Sequence, residues 1–343
     1  MSLARSLRRA FVCCCSITAL LLGTFAAVGV APASASVWTP STSFGAPGLN
    51  PAGIDIDPDG NLWVANGNNN NIVKFSPAGD VLLTAGGFGV GPGQINLATA
   101  LAVGPNRVVY VGDIGNSRVD EFDLNGNFLG SFGNSSNFSN LRGLAVAANG
   151  DVYTADVSNG RVERFSAAGT YLGDLGSFGN PFGIGIDPDG NIWITDVSSN
   201  TVRKVSPSGS LLLTLGGFGQ PLDVAFDGLG QAHITNFNTN QIYTYTLAGA
   251  PVDVTNFSDT VYGLVVGPGG QLYVSKVFLG QIAVLAPPAP PDTDGDGIPD
   301  AIDTDPINPS VSFADAGTTF GTIVSSGALS VHFVDLPDPD GVT

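Results

Sequence analysis

Five aspartates are clustered between residues 292 and 303, in the stretch DTDGDGIPDAID. Their spacing corresponds to positions 1, 3, 5, 9 and 12 of a calcium-binding loop, with Gly297 at the sharp turn. Oxygen ligands at this spacing suit Ca²⁺, and five carboxylates on one turn would repel one another without a cation. The sequence therefore predicts a Ca²⁺ site, and the alternative is a solvated acidic linker. The candidate ligands are Asp292, Asp294, Asp296, the carbonyl of Ile298, Asp300 and Asp303.

Residues suited to acid–base or zinc chemistry are few. The chain has two histidines, His233 and His332, and two glutamates, Glu121 and Glu163. Catalytic zinc needs about three protein ligands, mostly histidines, so a histidine-based zinc site is excluded. An enzyme would have to use carboxylates instead, and the best candidates are Asp113, Asp156 and Asp196.

These aspartates belong to a unit that is repeated six times between residues 50 and 285, with a length of about 40 residues. An aromatic-type column comprises Trp63, Tyr110, Tyr153, Trp193, His233 and Tyr273. Three residues later comes a polar column, which comprises Asn66, Asp113, Asp156, Asp196, Asn236 and Lys276. Repetition favours structural roles for both columns: His233 is expected to be a packed ring, and the polar residues to hold the loop that follows the second strand.

Each unit is predicted to form four short strands. Turns such as Asp59-Gly60 and Asp189-Gly190 are typical of tight hairpins, and the second strand carries the aromatic column. The fourth strand is expected to end in a phenylalanine, at Phe88, Phe132, Phe178, Phe218 or Phe257. A four-stranded unit of about 40 residues is a propeller blade, which buries its faces only within a ring of blades.

The two ends of the repeat region predict how the ring closes. The sixth unit ends at Leu285 and is followed by a proline-rich stretch over 287–291, where a fourth strand cannot form. The missing Phe-Gly ending occurs at Phe44, ahead of the first unit. We therefore expect residues 37–45 to supply the outer strand of the last blade, which gives an all-β, six-bladed β-propeller closed by the N-terminal strand.

The units resemble NHL repeats, most closely over residues 143–165, through Gly143, Tyr153, Asp156 and Val162. The resemblance implies a six-bladed propeller, a fold that hosts lyases, lactonases and binding modules. The acidic loop, with Asp rather than Glu at its last position and no helical flanks, resembles thrombospondin type 3 repeats. Residues 311–343 resemble the start of a choice-of-anchor domain, which implies a short β tail and attachment to a bacterial cell envelope through the C-terminal region; we expect the reading frame to continue beyond Thr343.

The N-terminus has the pattern of an export signal. A basic segment is followed by an apolar run over 11–32, which contains all three cysteines, and by Ala33-Ser34-Ala35. The predicted organisation is a signal peptide (1–35), a propeller (36–285), a hinge with the calcium repeat (286–310) and a partial β domain (311–343). The expected location is extracellular or on the cell surface, and the alternative is an uncleaved membrane anchor.

The net charge of the chain is −17 at pH 7. Removal of residues 1–35 would take away three arginines and no acidic residue, so the remainder is more acidic still. Such a surface repels phosphate backbones, which excludes nucleic acid as a favoured partner. We expect a monomer.

Binding residues are expected where the loops depart from the repeat. The positions that precede or open the first strands carry Arg142, Phe182, Asp223 and Tyr262, and exposed Phe237 and Phe278 are expected at the same face. The leading hypothesis is a non-catalytic propeller that binds a protein or glycan at this face. The alternative is a streptogramin-lyase-like or lactonase-like enzyme with an active site at the channel mouth.

Overall fold

The computed structural model describes residues 38–288, which form six four-stranded antiparallel sheets. The predictions for residues 1–35 and 311–343 lie outside the described residues. The predicted Ca²⁺ ligands also lie outside them, namely Asp292, Asp294, Asp296, Ile298, Asp300 and Asp303. No helix within residues 38–288 has the length and apolarity needed to cross a membrane.

The strands follow one another from the inside of each blade to its outside. Strand β1 (Thr39–Phe44) precedes the first blade. Blade 1 contains β2 (Pro51–Ile56), β3 (Leu62–Asn66), β4 (Asn71–Phe75) and β5 (Val81–Gly86). Blade 2 contains β6 (Ala98–Val103), β7 (Val108–Asp113), β8 (Arg118–Asp123) and β9 (Phe128–Phe132). Blade 3 contains β10 (Leu141–Val146), β11 (Val152–Asp156), β12 (Arg161–Phe165) and β13 (Tyr171–Ser177).

The second half of the ring repeats this order. Blade 4 contains β14 (Pro181–Ile186), β15 (Ile192–Asp196), β16 (Thr201–Val205) and β17 (Leu211–Leu215). Blade 5 contains β18 (Pro221–Phe226), β19 (Gln231–Asn236), β20 (Gln241–Thr246) and β21 (Pro251–Asn256). Blade 6 contains β22 (Leu264–Val266), β23 (Leu272–Lys276) and β24 (Gln281–Ala286). Short 3₁₀ turns follow the second strand in three blades, at Gly67–Asn69, Ile114–Asn116 and Phe237–Thr239.

Strand β1 completes blade 6, which confirms the predicted closure. It pairs antiparallel with β24, from Thr39 opposite Ala286 to Phe44 opposite Ile282. The ring of Phe44 packs 5.3 Å from that of Phe75 in blade 1, measured between centroids. The strand ladder therefore joins the first and last parts of the described chain, and the aromatic contact joins blade 6 to blade 1. Each of the six blades has its outer strand.

The second strands form the core, as the aromatic column predicts. Every member of that column is buried, and the six hydrophobic clusters lie between neighbouring sheets. Glycines let the inner strands approach one another. A Cβ on Gly143 would overlap the carbonyl oxygen of Phe182, and one on Gly183 would overlap that of Leu222. These glycines therefore permit the close contact between neighbouring blades around the axis.

The predicted phenylalanine ending is only partly correct. Phe132 is the last residue of β9, but Phe178, Phe218 and Phe257 lie beyond the ends of their strands. Phe88 lies in the loop after β5 and is 72% exposed, while Ile95 further along the same loop is fully buried. A Phe-Gly pair therefore does not distinguish the end of a strand, as at Phe132, from a loop position, as at Phe88, Phe178 and Phe218.

Candidate functional site

The inner strands surround a central channel with a volume of about 280 Å³. Four predicted face residues, Arg142, Phe182, Asp223 and Tyr262, line this channel, and the structure brings them together. Three of them lie in inner strands: Arg142 is the second residue of β10, Phe182 is the second residue of β14, and Asp223 is the third residue of β18. The channel mouth therefore carries a cation, an acid and two aromatic rings.

The aromatic and cationic side chains at the mouth contact one another. The rings of Phe182 and Tyr262 meet edge to face, with centroids 5.7 Å apart. The guanidinium carbon of Arg142 lies 5.9 Å from the Phe182 centroid, and its Nε donates to Oδ1 of Asn140 at 2.9 Å. Burial raises the pKa of Tyr262, which the neighbouring Arg142 opposes. Arg142 is therefore oriented by a hydrogen bond and a ring face.

Two carboxylates in the channel link neighbouring blades. Asp55 accepts the backbone N–H of Val103 in the next blade at 2.7 Å, and Asp223 accepts that of Leu264 at 2.9 Å. Burial raises the pKa of Asp55 to about 6, despite two lowering backbone hydrogen bonds. Burial and the charge of Asp55 raise the pKa of Asp223 to about 7. Uptake of a proton by Asp55 or Asp223 therefore affects the contact that the carboxylate makes with the neighbouring inner strand.

Asp55 was missed as a site residue by the sequence reasoning. Its register equivalents, which pair with the aromatic column, are Ala102, Ala145, Gly185, Ala225 and Val265. An acidic residue in a column of small and apolar residues is a departure from the repeat, and this signal could have identified it.

Phe237 and Phe278 lie at the same end of the blades but outside the channel lining. Their ring centroids are 6.4 Å apart. Phe278 is 75% exposed as predicted, whereas Phe237 is only half-buried rather than exposed, because it belongs to a 3₁₀ turn beside Phe278. A second cavity of about 210 Å³ adjoins this pair. It is lined by Asn240, Ser258, Asp259, Thr260, Lys276, Phe278 and Leu279.

The polar column holds loops together. Asp156 accepts the N–H groups of Ser139 and Asn140 at 2.8 and 3.0 Å, and Asp196 makes the same contacts with Gly179 and Asn180. These bonds join the loop after the second strand to the segment before the first. The loops between the second and third strands of the blades (the 2–3 loops) therefore lie at the same end of the propeller as the start of the inner strands. We call this end the loop face.

The hypothesis that Asp113, Asp156 and Asp196 act in a channel active site is wrong in its geometry. All three side chains are fully buried, and none of them lines the channel. They lie at the ends of second strands, and the channel is lined by first strands. Backbone amides and side-chain donors occupy their oxygens, so they have no free face toward a substrate.

Blade 6 breaks the loop pattern of the other five. Its column member is Lys276, which binds Oδ2 of Asp259 at 3.1 Å instead of accepting backbone N–H groups. The inner strand β22 is correspondingly short and begins only at Leu264. The segment before it stays irregular, contributes to the second cavity and places Tyr262 in the channel.

His233 is a packed ring, as predicted. It is fully buried, its Nε2 lies 3.1 Å from Asp227, and its Nδ1 lies 3.0 Å from the hydroxyl of Thr244. Trp38 covers the ring edge to face at 5.2 Å. Within residues 38–288, no group of three His, Cys, Asp or Glu side chains is placed to hold a metal ion.

Residues 49–75 and 138–165 match the NHL repeat family. NHL repeat-containing protein 3 of Mus musculus is 33% identical over 89 residues, which are 25% of this chain and 26% of that protein. The Homo sapiens protein of the same name is 30% identical over the same shares. The match thus spans about a quarter of the length of these relatives.

Solved structures share the fold at low identity. A streptogramin B lyase is 16% identical and has a TM-score of 0.56, over 73% of this chain and 96% of that one. A catalytically inactive histidine-to-alanine variant of virginiamycin B lyase from Staphylococcus aureus, with quinupristin, is 13% identical, with a TM-score of 0.56 over 72% and 87%. A chain in a nidogen/laminin complex is 18% identical, with a TM-score of 0.57 over 64% and 85%. The chain is thus a six-bladed β-propeller that carries NHL repeats.

Proposed function

We propose that this propeller is a non-catalytic binding module that captures a protein or glycan ligand on its loop face. The contact surface would comprise the channel mouth and the patch formed by Phe237, Phe278 and Leu279. The observation that carries the proposal is the break in blade 6. Five blades close their loops with a buried Asp or Asn, whereas blade 6 leaves a cavity bordered by Lys276 and by exposed apolar side chains.

The exposed apolar residues support a contact surface at this end. Phe278, Leu279, Phe88 and Val90 are all more than half exposed. Phe88 and Val90 belong to the loop after β5. Asn116, in the 2–3 loop of blade 2, and Arg118, at the start of β8, donate hydrogen bonds to backbone carbonyls of this loop. Large exposed apolar side chains that gather on one face are typical of interaction sites.

The lyase alternative is less well supported. The neighbouring virginiamycin B lyase is catalytically inactive when a histidine is replaced by alanine. In the described part of this chain the histidine is His233, which is buried in blade 5 away from the channel lining. The channel carboxylates Asp55 and Asp223 both accept backbone N–H groups, which hold them against the neighbouring inner strands. The neighbour in the nidogen/laminin complex agrees with a protein-binding role.

The experiment is a selection with the full chain as bait, against a displayed random-peptide library and an array of glycans. We expect the selected ligands to lose at least about tenfold in affinity for the Phe237→Ala/Phe278→Ala variant, because apolar anchors dominate such contacts. The matched control is Leu229→Ala. Leu229 is 84% exposed on the loop between the first and second strands of blade 5 (its 1–2 loop), which lies at the opposite end of the propeller. Equal binding by the double variant and the wild type would contradict the proposed face. Turnover of a streptogramin B or a lactone by the wild-type chain, lost in Asp223→Asn, would favour the enzyme instead.

Export and calcium binding remain proposals for the parts of the chain outside residues 38–288. The apolar N-terminal run and Ala33-Ser34-Ala35 support export to the cell exterior, and the alternating aspartates support a Ca²⁺-stiffened linker. The resemblance of residues 311–343 to an anchoring domain supports attachment to a cell envelope.

A further inference from the structure

Arg142 differs from every other cation in the described part of the chain. Residues 38–288 contain nine lysines and arginines, and eight of them form an ion pair with a carboxylate. Arg142 forms none. The chain has an excess of acidic residues, so a partly buried arginine without a carboxylate partner is unexpected on electrostatic grounds.

The surroundings of Arg142 fix its orientation without neutralising it. Its Nε is taken up by Asn140, and the ring of Phe182 lies beside the guanidinium. Tyr262 is a neighbour of Arg142, whose charge opposes the rise in the pKa of Tyr262. A guanidinium presents five N–H donors in a planar fork, and the side opposite Nε suits a carboxylate. Little side-chain entropy would be lost on binding, because the fork is already held in place.

We propose that Arg142 and Tyr262 bind a carboxylate group of the ligand at the channel mouth, with an adjacent apolar group of the ligand resting on Phe182. This inference rests on the proposed binding function and specifies the chemistry that the site recognises. The channel volume of about 280 Å³ admits a side chain or a small acid rather than a folded domain.

The other charges in the channel favour a singly charged group over a phosphate. The titratable side chains that line it are Asp55, Arg142, Asp223 and Tyr262. Two acids on the inner strands repel a dianion more strongly than a carboxylate. Protonation of Asp223, whose pKa is raised to about 7, removes one of these charges near neutral pH. Binding of the anion is therefore expected to strengthen as the pH falls from 8 to 6.

The test uses the full chain with 3-phenylpropionate and its uncharged amide as probes, in ligand-observed NMR and calorimetry. We expect the acid to bind at least about tenfold more tightly than the amide, a contrast that needs no variant. Arg142→Gln should remove the preference for the acid, while Leu229→Ala, at the opposite end of the propeller, should keep it. Asp223→Asn should flatten the pH dependence. Equal affinity for acid and amide, or an unchanged preference in Arg142→Gln, would overturn the inference.

Three further probes separate the sources of the carboxylate. A peptide with a free C-terminal phenylalanine is compared with its amidated form, a peptide with an internal Phe-Asp with its Phe-Asn form, and a glucuronate-bearing oligosaccharide with its neutral form. Preference for one charged member identifies the source, and no preference in any pair overturns the carboxylate site. If no pair shows a preference but library ligands still depend on Phe278, only the carboxylate inference is contradicted. If carboxylates bind but the selection yields no Phe278-dependent ligand, the proposed binding face beyond the channel mouth is contradicted.

Discussion

The imidazole Nε2 of His233 donates a hydrogen bond to the Oδ2 of Asp227 across 3.1 Å, because a carboxylate can only accept it. Two other blades place a tryptophan Nε1 in this position, 3.1 Å from Asp57 and 3.0 Å from Asp187. In those two blades a buried lysine also forms an ion pair with the aspartate. In blade 5 the residue opposite His233 on the third strand is Thr244 instead of a lysine. The Asp-His-Thr arrangement thus resembles a catalytic triad in connectivity but is a structural substitute for Asp-Trp-Lys.

Replacement of His233 by alanine should destabilise the propeller by about 3–5 kcal/mol, because it leaves a cavity beneath Trp38 and an unpaired buried carboxylate. The measurement is urea unfolding of the full chain. Tyr243→Ala offers a control in the same blade, at a half-buried ring that packs on Phe218. A loss below about 1 kcal/mol for His233→Ala would show that the triad does not support the blade.

Phe44→Ala should lower the unfolding free energy by about 3–5 kcal/mol, because Phe44 joins blade 6 to blade 1 through Phe75 and Tyr273. Val81 lies in the exposed outer strand of blade 1, so Val81→Ala is the matched control and should cost much less. If deleting 39–45 left the melting temperature unchanged, closure by the N-terminal strand would be refuted.

Asp196→Ala should cost about 3 kcal/mol, because it leaves two backbone N–H groups and Arg203 without their acceptor. Burial alone would raise the pKa of Asp196, but the N–H groups of Asn180 and Gly179 hold it well below its ordinary range. The stability that Asp196 supplies is therefore present above its unfolded pKa and is lost only as the pH falls below about 4. Unfolding of the variant at pH 7 measures the cost, and Asp189→Ala on an exposed turn is the control. An equal cost for both would contradict the loop-holding role.

The stability of the propeller should be greater at pH 5 than at pH 8. The folded pKa values of Asp55 and Asp223 are raised from 3.8 to about 6 and about 7. The stability that these groups contribute is fully present below about pH 4 and is lost as the pH rises through those values. Each unit of pKa shift is worth about 1.4 kcal/mol, so Asp223→Asn should visibly flatten the slope between pH 5 and pH 8. Asp196 stays ionised over this range and does not interfere. A stability that is constant or rises toward pH 8 would contradict the buried state of these carboxylates.

The full chain should bind Ca²⁺ with a dissociation constant of about 10⁻⁴ to 10⁻³ M, which is typical of extracellular sites. Asp294→Asn/Asp296→Asn should abolish the calorimetric signal, whereas Asp80→Asn on an exposed turn of blade 1 should preserve it. Absence of calcium heat from the wild type at millimolar metal would show that the acidic stretch is only a solvated linker.

The repeat made the fold predictable from the sequence. Six copies of the same polar and aromatic columns indicate six blades, and the misplaced Phe44 and the prolines after Leu285 indicate how the ring closes. Each of these signals is local and recurs, so the pattern could be read without knowledge of contacts.

The candidate site was predictable only in part. Departures from the repeat identified Arg142, Phe182, Asp223 and Tyr262, which the ring geometry brings together although they belong to four different blades. The polar column predicted that Asp156 holds a loop, but it did not identify the N–H groups of Ser139 and Asn140 as the donors, because these belong to the segment before the first strand. Nor could it reveal that Arg142 has no ion-pair partner within residues 38–288, which depends on contacts between blades.

The binding face is tested most directly by a hydrogen-exchange footprint of a selected ligand on the full wild-type chain. Protection is expected in the loops at 237–240, 257–263 and 276–279, with no change in the 1–2 loop that carries Leu229. Protection confined to that opposite end, or to the outer strands, would contradict a loop-face binding module.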